Sequence, residues 1–275
     1  MPDAKADSLL ERLGRALVRY LDRESAGYEP YTPSDPETLR AVLQPGDVLL
    51  IEGNERVAAA IKYLSQSTWS HAALYVGDPL TSGDDDNVLV EVTIAEGCVA
   101  VPLKKYRNYN TRICRPVGLT EADRMAVVGF MRANLGRHYD VKNIFDLARY
   151  LLPTPPVPVR WRRRMISFGS GDPTRAICSS LIAEAFGRVG YPILPLVESS
   201  DPQMTQPRST YCREEILHIR HHSLYTPRDF DLSPFFRVVK PTIERGFDYK
   251  TLKWAVDEDP AVSALVRQRV DGSPA

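Results

Sequence analysis

Apolar positions recur along this chain with two spacings, and the changes from one to the other outline its architecture. Leu9, Leu10, Leu13, Ala16, Leu17, Tyr20 and Leu21 share one helix face, with Asp7 or Ser8 available as a cap, so the first segment reads as an amphipathic helix that packs on something. The proline-bearing stretch GYEPYTPSDPE then reads as a linker. Gln44-Pro45-Gly46-Asp47 is a turn that launches the apolar run Val48-Leu49-Leu50-Ile51. A short helix through Val57, Ala60, Ile61 and Leu64 follows, and SHAALYVG reads as a strand ended by the turn at Gly77-Asp78. VLVEV, CVAVPL and TRICRPV add further strands. Their short connections favour antiparallel meanders over crossover units, which predicts an α+β protein with a small, curled antiparallel sheet packed against helices.

Helical spacing dominates afterwards. Thr120 caps a helix that runs to Leu135 and stops at Gly136, and a second spans 141–152 before Pro153. PTPPVPVRWRRRM cannot be a regular helix or central strand in its first half and reads as a surface loop. Ile177, Leu181, Ile182, Ala185, Phe186 and Val189 mark another amphipathic helix, stopped by Gly190 and Pro192, with Cys178 in its first turn. SSDPQMTQPRST reads as an exposed loop, FFRVV as a late strand, and the tail from Tyr249 to Val270 as mostly helix. The expected organisation is an N-terminal helix and linker over 1–38, a catalytic domain over 39–242 and a helical tail over 243–275.

Composition narrows the classes. The 275 residues are 43% hydrophobic, enough to bury one substantial core. Lysine plus arginine and aspartate plus glutamate both number 35, so no global field draws in nucleic acid or an anionic membrane, and nucleic acid is not an expected partner. No run approaches the ~20 apolar residues of a bilayer span, and the acid-bearing start lacks a signal-peptide stretch; the expected address is the cytoplasm, with export by another route left open. The 4 cysteines, Cys98, Cys114, Cys178 and Cys212, lack CxxC spacing and suit a reduced protein.

Cys178 stands out because amide dipoles at a helix N-terminus stabilise a thiolate, and its place at the margin of the apolar stripe lets the sulfur face a groove. From the residues alone it reads equally as a small buried hydrophobe. Cys98 and Cys114 fall inside strands, where inert burial is the better reading, and Cys212 has no cues. His71 lies on a predicted strand, sharing a face with Ala73 and Tyr75, where an imidazole held rigidly can serve a thiol as base and then acid, although a lone histidine is more often structural. Glu91 shares a face with Leu89 and Thr93; on a neighbouring strand it would fix the imidazole tautomer, and otherwise it is an exposed strand acid. His218, His221 and His222 near Cys212 match no zinc spacing and read as a solvated segment. Arg160, Arg162, Arg163 and Arg164 beside Trp161 read as a solvated loop, with a lipid or phosphate contact as the alternative. Ser170 lacks a GxSxG elbow, and no GxxxxGK[ST] loop occurs.

Several ordered segments resemble the permuted papain-like hydrolases of the NlpC/P60 superfamily, in particular the YiiX/YebB-like group. They are LQPGDVLLIEGNERVAAAIKYLSQSTWSHAALYVGD, VLVEVTIAEGCVAVPL, GRHYD, ICSSLIAEAF and TPRDFDLSPFFRVV, spanning Leu43 to Val239. The resemblance implies a circularly permuted fold in which the histidine strand precedes the cysteine helix. It also implies Cys178 as nucleophile, His71 as base and Glu91 as the group orienting it. Tyr139, in the GRHYD turn, is expected to line the substrate cleft, with a packed aromatic as the alternative, and Ser179 is expected beside the substrate. Gly46 and Asp47 match as a turn opening the sheet. The N-terminal helix, the helical tail and the arginine-rich insert lie outside the resemblance.

The expected activity is amide hydrolysis on a peptide or acyl-amide through a thioester, without cofactor or metal. Two rivals stand beside it. One is a lipid-directed acyltransferase or acyl hydrolase using the same residues, with the N-terminal helix and the arginine cluster as peripheral membrane contacts. The other is a non-catalytic binding module that retains the fold. Expected substrates are accordingly small molecules, peptides or lipid-like acyl compounds.

Overall fold

Gly46 and Asp47 begin the sheet through backbone freedom and a buried charge. Gly46 has φ +88°, a left-handed conformation that strains a residue carrying a Cβ. Asp47 is fully buried and accepts the Gln44 N–H at 2.8 Å and a forked pair of bonds from Arg115, Nε to Oδ1 at 2.9 Å and Nη2 to Oδ2 at 2.7 Å. The turn is thereby locked to a strand distant in sequence. The computed structural model describes residues 20, 23–24, 28–31, 33, 35–78, 80, 87–93, 95–137, 177–199, 215–218 and 225–251. The expected N-terminal helix, the helix over 141–152, the proline- and arginine-rich loop and the helical tail beyond 251 lie outside these residues.

The strands are β1 (Val48–Ile51), β2 (His71–Tyr75), β3 (Asn87–Thr93), β4 (Gly97–Pro102), β5 (Thr111–Pro116), β6 (Leu196–Ser199), β7 (Glu215–His218) and β8 (Phe236–Val239). Six of them form one antiparallel sheet in the order β4-β3-β2-β1-β5-β8, while β6 and β7 pair as a separate ribbon. The helices are α1 (Pro36–Val42), α2 (Arg56–Ser65), α3 (Glu121–Ala133), α4 (Ile177–Arg188), α5 (Pro227–Leu232) and α6 (Pro241–Glu244). The protein is therefore α+β, with a curled antiparallel sheet and helices against it.

Both faces of the sheet are covered, which explains why β1 reads VLLI without polar alternation. Val48 and Leu50 join Ala72, Leu74, Val90 and Val92 beneath Val127 and Met131 of α3 and Leu181, Ile182 and Phe186 of α4. Leu49 and Ile51 face the other way and meet Ala73, Tyr75 and Leu89 beneath Leu39 of α1, together with Leu103 and Tyr106 of the 3-10 turn Leu103–Tyr106. Val88 joins this second cluster beside Leu89, because the β3–β4 register shifts between Asn87 and Leu89.

Local chemistry adds elements where the pattern predicts loops. The end of the expected linker is helical as α1: Pro36 stands at the start, Asp35 caps by accepting the Thr38 N–H at 3.0 Å, and Leu39 is buried. The region read as an exposed loop contributes Ser199 to the β6–β7 ribbon, and His218 lies on β7. Thr226 and Asp229 form a capping box that starts α5 at Pro227.

The chain divides into two units, Met1–Pro241 and Thr242–Ala275. In the second, Ile243, Phe247 and Tyr249 are exposed.

Candidate active site

His71 is the first residue of β2 and sits opposite Ile51 of β1. Its approach is held on several sides. The Ser70 N–H donates to the Ile51 carbonyl at 3.1 Å, and Ser70 Oγ accepts the Gly53 N–H at 2.9 Å. A Cβ at residue 53 would lie 2.9 Å from that same oxygen, so the close approach of the loop after β1 requires glycine. Trp69 Nε1 donates to Asp231 Oδ2 at 3.1 Å, while the Arg112 guanidinium lies 4.9 Å from the Trp69 ring and donates to Asp231 Oδ1 at 2.7 Å. The imidazole thus enters from a braced segment.

Glu91 is on β3, paired with Ala73 of β2. Alternation puts His71, Ala73 and Glu91 on one face, with imidazole and carboxylate as diagonal cross-strand neighbours. The His71 Nε2 to Glu91 Oε2 distance is 2.9 Å. Glu91 has no exposed side-chain surface, and a carboxylate so placed must be paired. Two further donors come from the 3-10 turn after β4: the Tyr106 hydroxyl donates to Oε2, and Lys105 Nζ donates to Oε1. Pattern reasoning over the sequence missed both residues. The available signal was chemical: a strand acid turned into a core face needs cations or hydroxyls, and KKY follows the hairpin strand closely.

Cys178 lies in the first turn of α4, which packs on β2, β3 and α3 and is anchored by Leu181, Ile182, Ala185 and Phe186. Its sulfur meets the His71 side chain and the backbone N–H groups of Ala72 and Ser179. Cys178 is 5% exposed and the His71 side chain 22%, so the group opens to solvent mainly at the imidazole. Three residues dispersed through the chain therefore meet in the order sulfur, imidazole, carboxylate.

Their ionisation follows from this contact. Burial alone would raise the Cys178 thiol, but the charge and hydrogen bond of His71 and the two backbone N–H groups overcome it and lower the pKa. Burial likewise works against a charged His71, yet the Cys178 thiolate and Glu91 raise it to about 10. For Glu91, burial is again outweighed, here by His71 and Lys105, leaving the carboxyl at about 2. The other two described cysteines show the contrast: burial raises Cys98 to about 11 and drives Cys114 well above the ordinary thiol range. Both are buried on strands, and neither is activated.

Ser179 follows Cys178 at the start of α4. It is fully buried, and its hydroxyl donates to the Tyr225 carbonyl at 2.8 Å, tying the start of α4 to the segment before α5. What it turns toward the sulfur is its backbone N–H. Tyr139, Cys212 and Arg160–Arg164 lie outside the described residues. Among the described residues, no group of three or more histidine, cysteine, aspartate or glutamate side chains could hold a metal ion, and no helix is long and apolar enough to cross a membrane.

The chain is similar to known proteins over part of its length. The model of the permuted papain-like amidase family, YaeF/YiiX, C92, matches residues 42–150, a stretch that contains His71 and Glu91 and ends before Cys178. A probable lipoprotein peptidase, YaeF of Escherichia coli K12, is 25% identical over 167 residues, covering 55% of this chain and 58% of that protein. The match thus spans less than two thirds of the relative's length. The crystal structure of the metalloprotein YiiX from Escherichia coli O157:H7 aligns over 72% of this chain and 96% of its own, with 14% identity and a TM-score of 0.42. The resemblance to the permuted papain-like YiiX group carried by the sequence is borne out, and the matching family is one of hydrolases.

Proposed function

We propose that this relative of the permuted papain-like amidases is a cysteine hydrolase that cleaves an amide bond through Cys178, His71 and Glu91. The observation that carries the reading is the meeting of these three side chains around a buried, ionised carboxylate, with the sulfur at a helix start and the imidazole open to solvent. The Cys178 thiolate attacks the amide carbonyl carbon. With Nε2 engaged by Glu91, His71 Nδ1 is the nitrogen left to face the reaction, and its proton passes to the leaving nitrogen as the C–N bond breaks. A thioester remains on Cys178. His71, now neutral, takes a proton from water; the hydroxide adds to the thioester carbonyl and the sulfur leaves, restoring thiolate and imidazolium.

Glu91 holds the imidazole in one tautomer and stabilises its positive form, and the Tyr106 hydroxyl on Oε2 keeps Glu91 from turning away. Backbone N–H groups at the start of α4 lack intrahelical partners and point toward the sulfur, which suits them to hold the oxyanion. The name of the YaeF relative as a peptidase supports amide over ester cleavage.

An electrophilic thiol probe together with a panel of peptide and acyl-amide substrates tests this reading. Wild type should label at neutral pH and hydrolyse an amide, Cys178→Ala should do neither, and His71→Ala should fall roughly 10²-fold or more. Equal labelling of all three proteins would remove Cys178 from the chemistry.

A further inference from the structure

Four charged or chargeable groups form an unbroken line through this part of the molecule. Lys105 Nζ meets Glu91 Oε1, Glu91 Oε2 meets His71 Nε2, and His71 meets the Cys178 sulfur. In the reactive state the charges alternate: ammonium, carboxylate, imidazolium, thiolate. The outer end differs from the rest, because Glu91 has no exposed side-chain surface whereas Lys105 has 40%. Lys105 therefore joins bulk water to a carboxylate that water does not reach. A carboxylate in this position needs only one partner to orient a histidine; here a second charge is applied to its far oxygen, and the Tyr106 hydroxyl fixes the near one.

We propose that Lys105 is a positioning residue of this site, acting through Glu91: its charge, applied at Oε1, offsets that of the carboxylate and sets the protonation range of the imidazole–thiol pair, while the Tyr106 hydroxyl keeps Oε2 turned to His71. This rests on the hydrolase reading only for its catalytic consequence, since the charge line stands in the geometry alone. The groups facing Glu91 can be named from each side. They are His71 on β2 and Lys105 and Tyr106 on the 3-10 turn; Cys98 on β4 feels the charge of Glu91 from the other face of the sheet, and Cys178 on α4 and Glu55 act on Tyr106. Among the described residues, Lys105 and the imidazolium are the cations that lower the Glu91 carboxyl, so removing Lys105 directs more of its charge at His71.

The sign separates an electrostatic role from simple support. Taking away a nearby positive charge makes neighbouring groups hold their protons more tightly, so in Lys105→Met the titrations of His71 and Cys178 both move to higher pH. Had Lys105 served only to keep Glu91 in place, its loss would release the carboxylate and His71 would move to lower pH, as in Glu91→Gln.

The test uses the full chain and two readouts, the imidazole titration of His71 by NMR and the pH dependence of Cys178 alkylation by iodoacetamide. Lys105→Met is expected to raise both midpoints by roughly half a pH unit or more, Lys105→Arg to restore them, and Glu91→Gln to lower that of His71. Unmoved midpoints, a downward shift of His71 in Lys105→Met, or failure of arginine to restore it would each overturn the proposal. Should wild-type Cys178 alkylate no faster at neutral pH than an ordinary thiol, the hydrolase reading fails while the His71 titration still decides the role of Lys105.

Discussion

Two carboxylates are fully buried at opposite purposes in this sheet, Asp47 at the turn before β1 and Glu91 on β3. Asp47 is closed off by a guanidinium and a backbone N–H, partners that do not titrate in the working range. Burial leads there and raises its pKa despite Arg115. Glu91 is surrounded by an imidazole, an ammonium and a phenol; the imidazole and the ammonium hold it at about 2 against burial, and the imidazole passes the interaction on to a sulfur. Burial of an acid thus says little about use. What distinguishes a site from a brace is whether the acid's partner is itself titratable, partly open to solvent and in contact with a nucleophile.

The largest expected effects come from breaking each carboxylate in turn. Glu91→Gln keeps shape and burial but removes the charge, and kcat/KM for an amide substrate should fall on the order of 10³-fold. Asp47→Ala takes from Arg115, a side chain only 12% exposed, its buried carboxylate partner, so urea denaturation should show a loss of about 3–5 kcal/mol, with turnover per folded molecule preserved. If Asp47→Ala lowered turnover as steeply as Glu91→Gln, the distinction between brace and site would collapse.

A smaller effect sharpens the same contrast. Tyr106→Phe keeps the ring packed against Tyr109, 5.7 Å between centroids, while removing one donor from Glu91 Oε2. Stability should fall by about 1.5 kcal/mol and kcat/KM by roughly tenfold, measured side by side in denaturant and in the amide assay.

The pH profile carries the sign of the ion pair. Activity should rise with pH as Cys178 ionises, at a pH below the ordinary thiol range because its pKa is lowered. It should fall as His71 loses its proton near pH 10, since the neutral imidazole cannot protonate the leaving nitrogen and no longer stabilises the thiolate. In Glu91→Gln the alkaline fall should come earlier, because the imidazolium has lost its counter-charge.

How much of this could be read from the chain depends on the reach of each signal. Strands and helices with strong apolar patterns, such as the continuous runs VLLI and HAALY and the α4 stripe, were legible because the pattern is local and both sheet faces demand it. Elements defined by caps were not: α1 hides behind Pro36 and Asp35 inside a stretch that composition marks as a linker, and β6–β7 is a short ribbon whose intervening residues break the pattern. At the site, Cys178 and His71 could be singled out by residue type and element, and Glu91 by its face on β3. Lys105 and Tyr106 could not, because a lysine and a tyrosine after a strand ordinarily mean a solvated edge. Only the register Ala73 to Glu91 and the 3-10 turn bring them onto the carboxylate. Ser179 follows Cys178 directly in sequence, yet its hydroxyl turns to the Tyr225 carbonyl and only its backbone N–H meets the sulfur.

The most direct measurement is the difference in ultraviolet thiolate absorbance between wild type and Cys178→Ser as pH is varied. A thiolate already present at neutral pH, disappearing only on acidification and lost from neutral pH in His71→Ala, is the predicted result. Thiolate appearing only in the ordinary thiol range, unaffected by His71, would contradict the account.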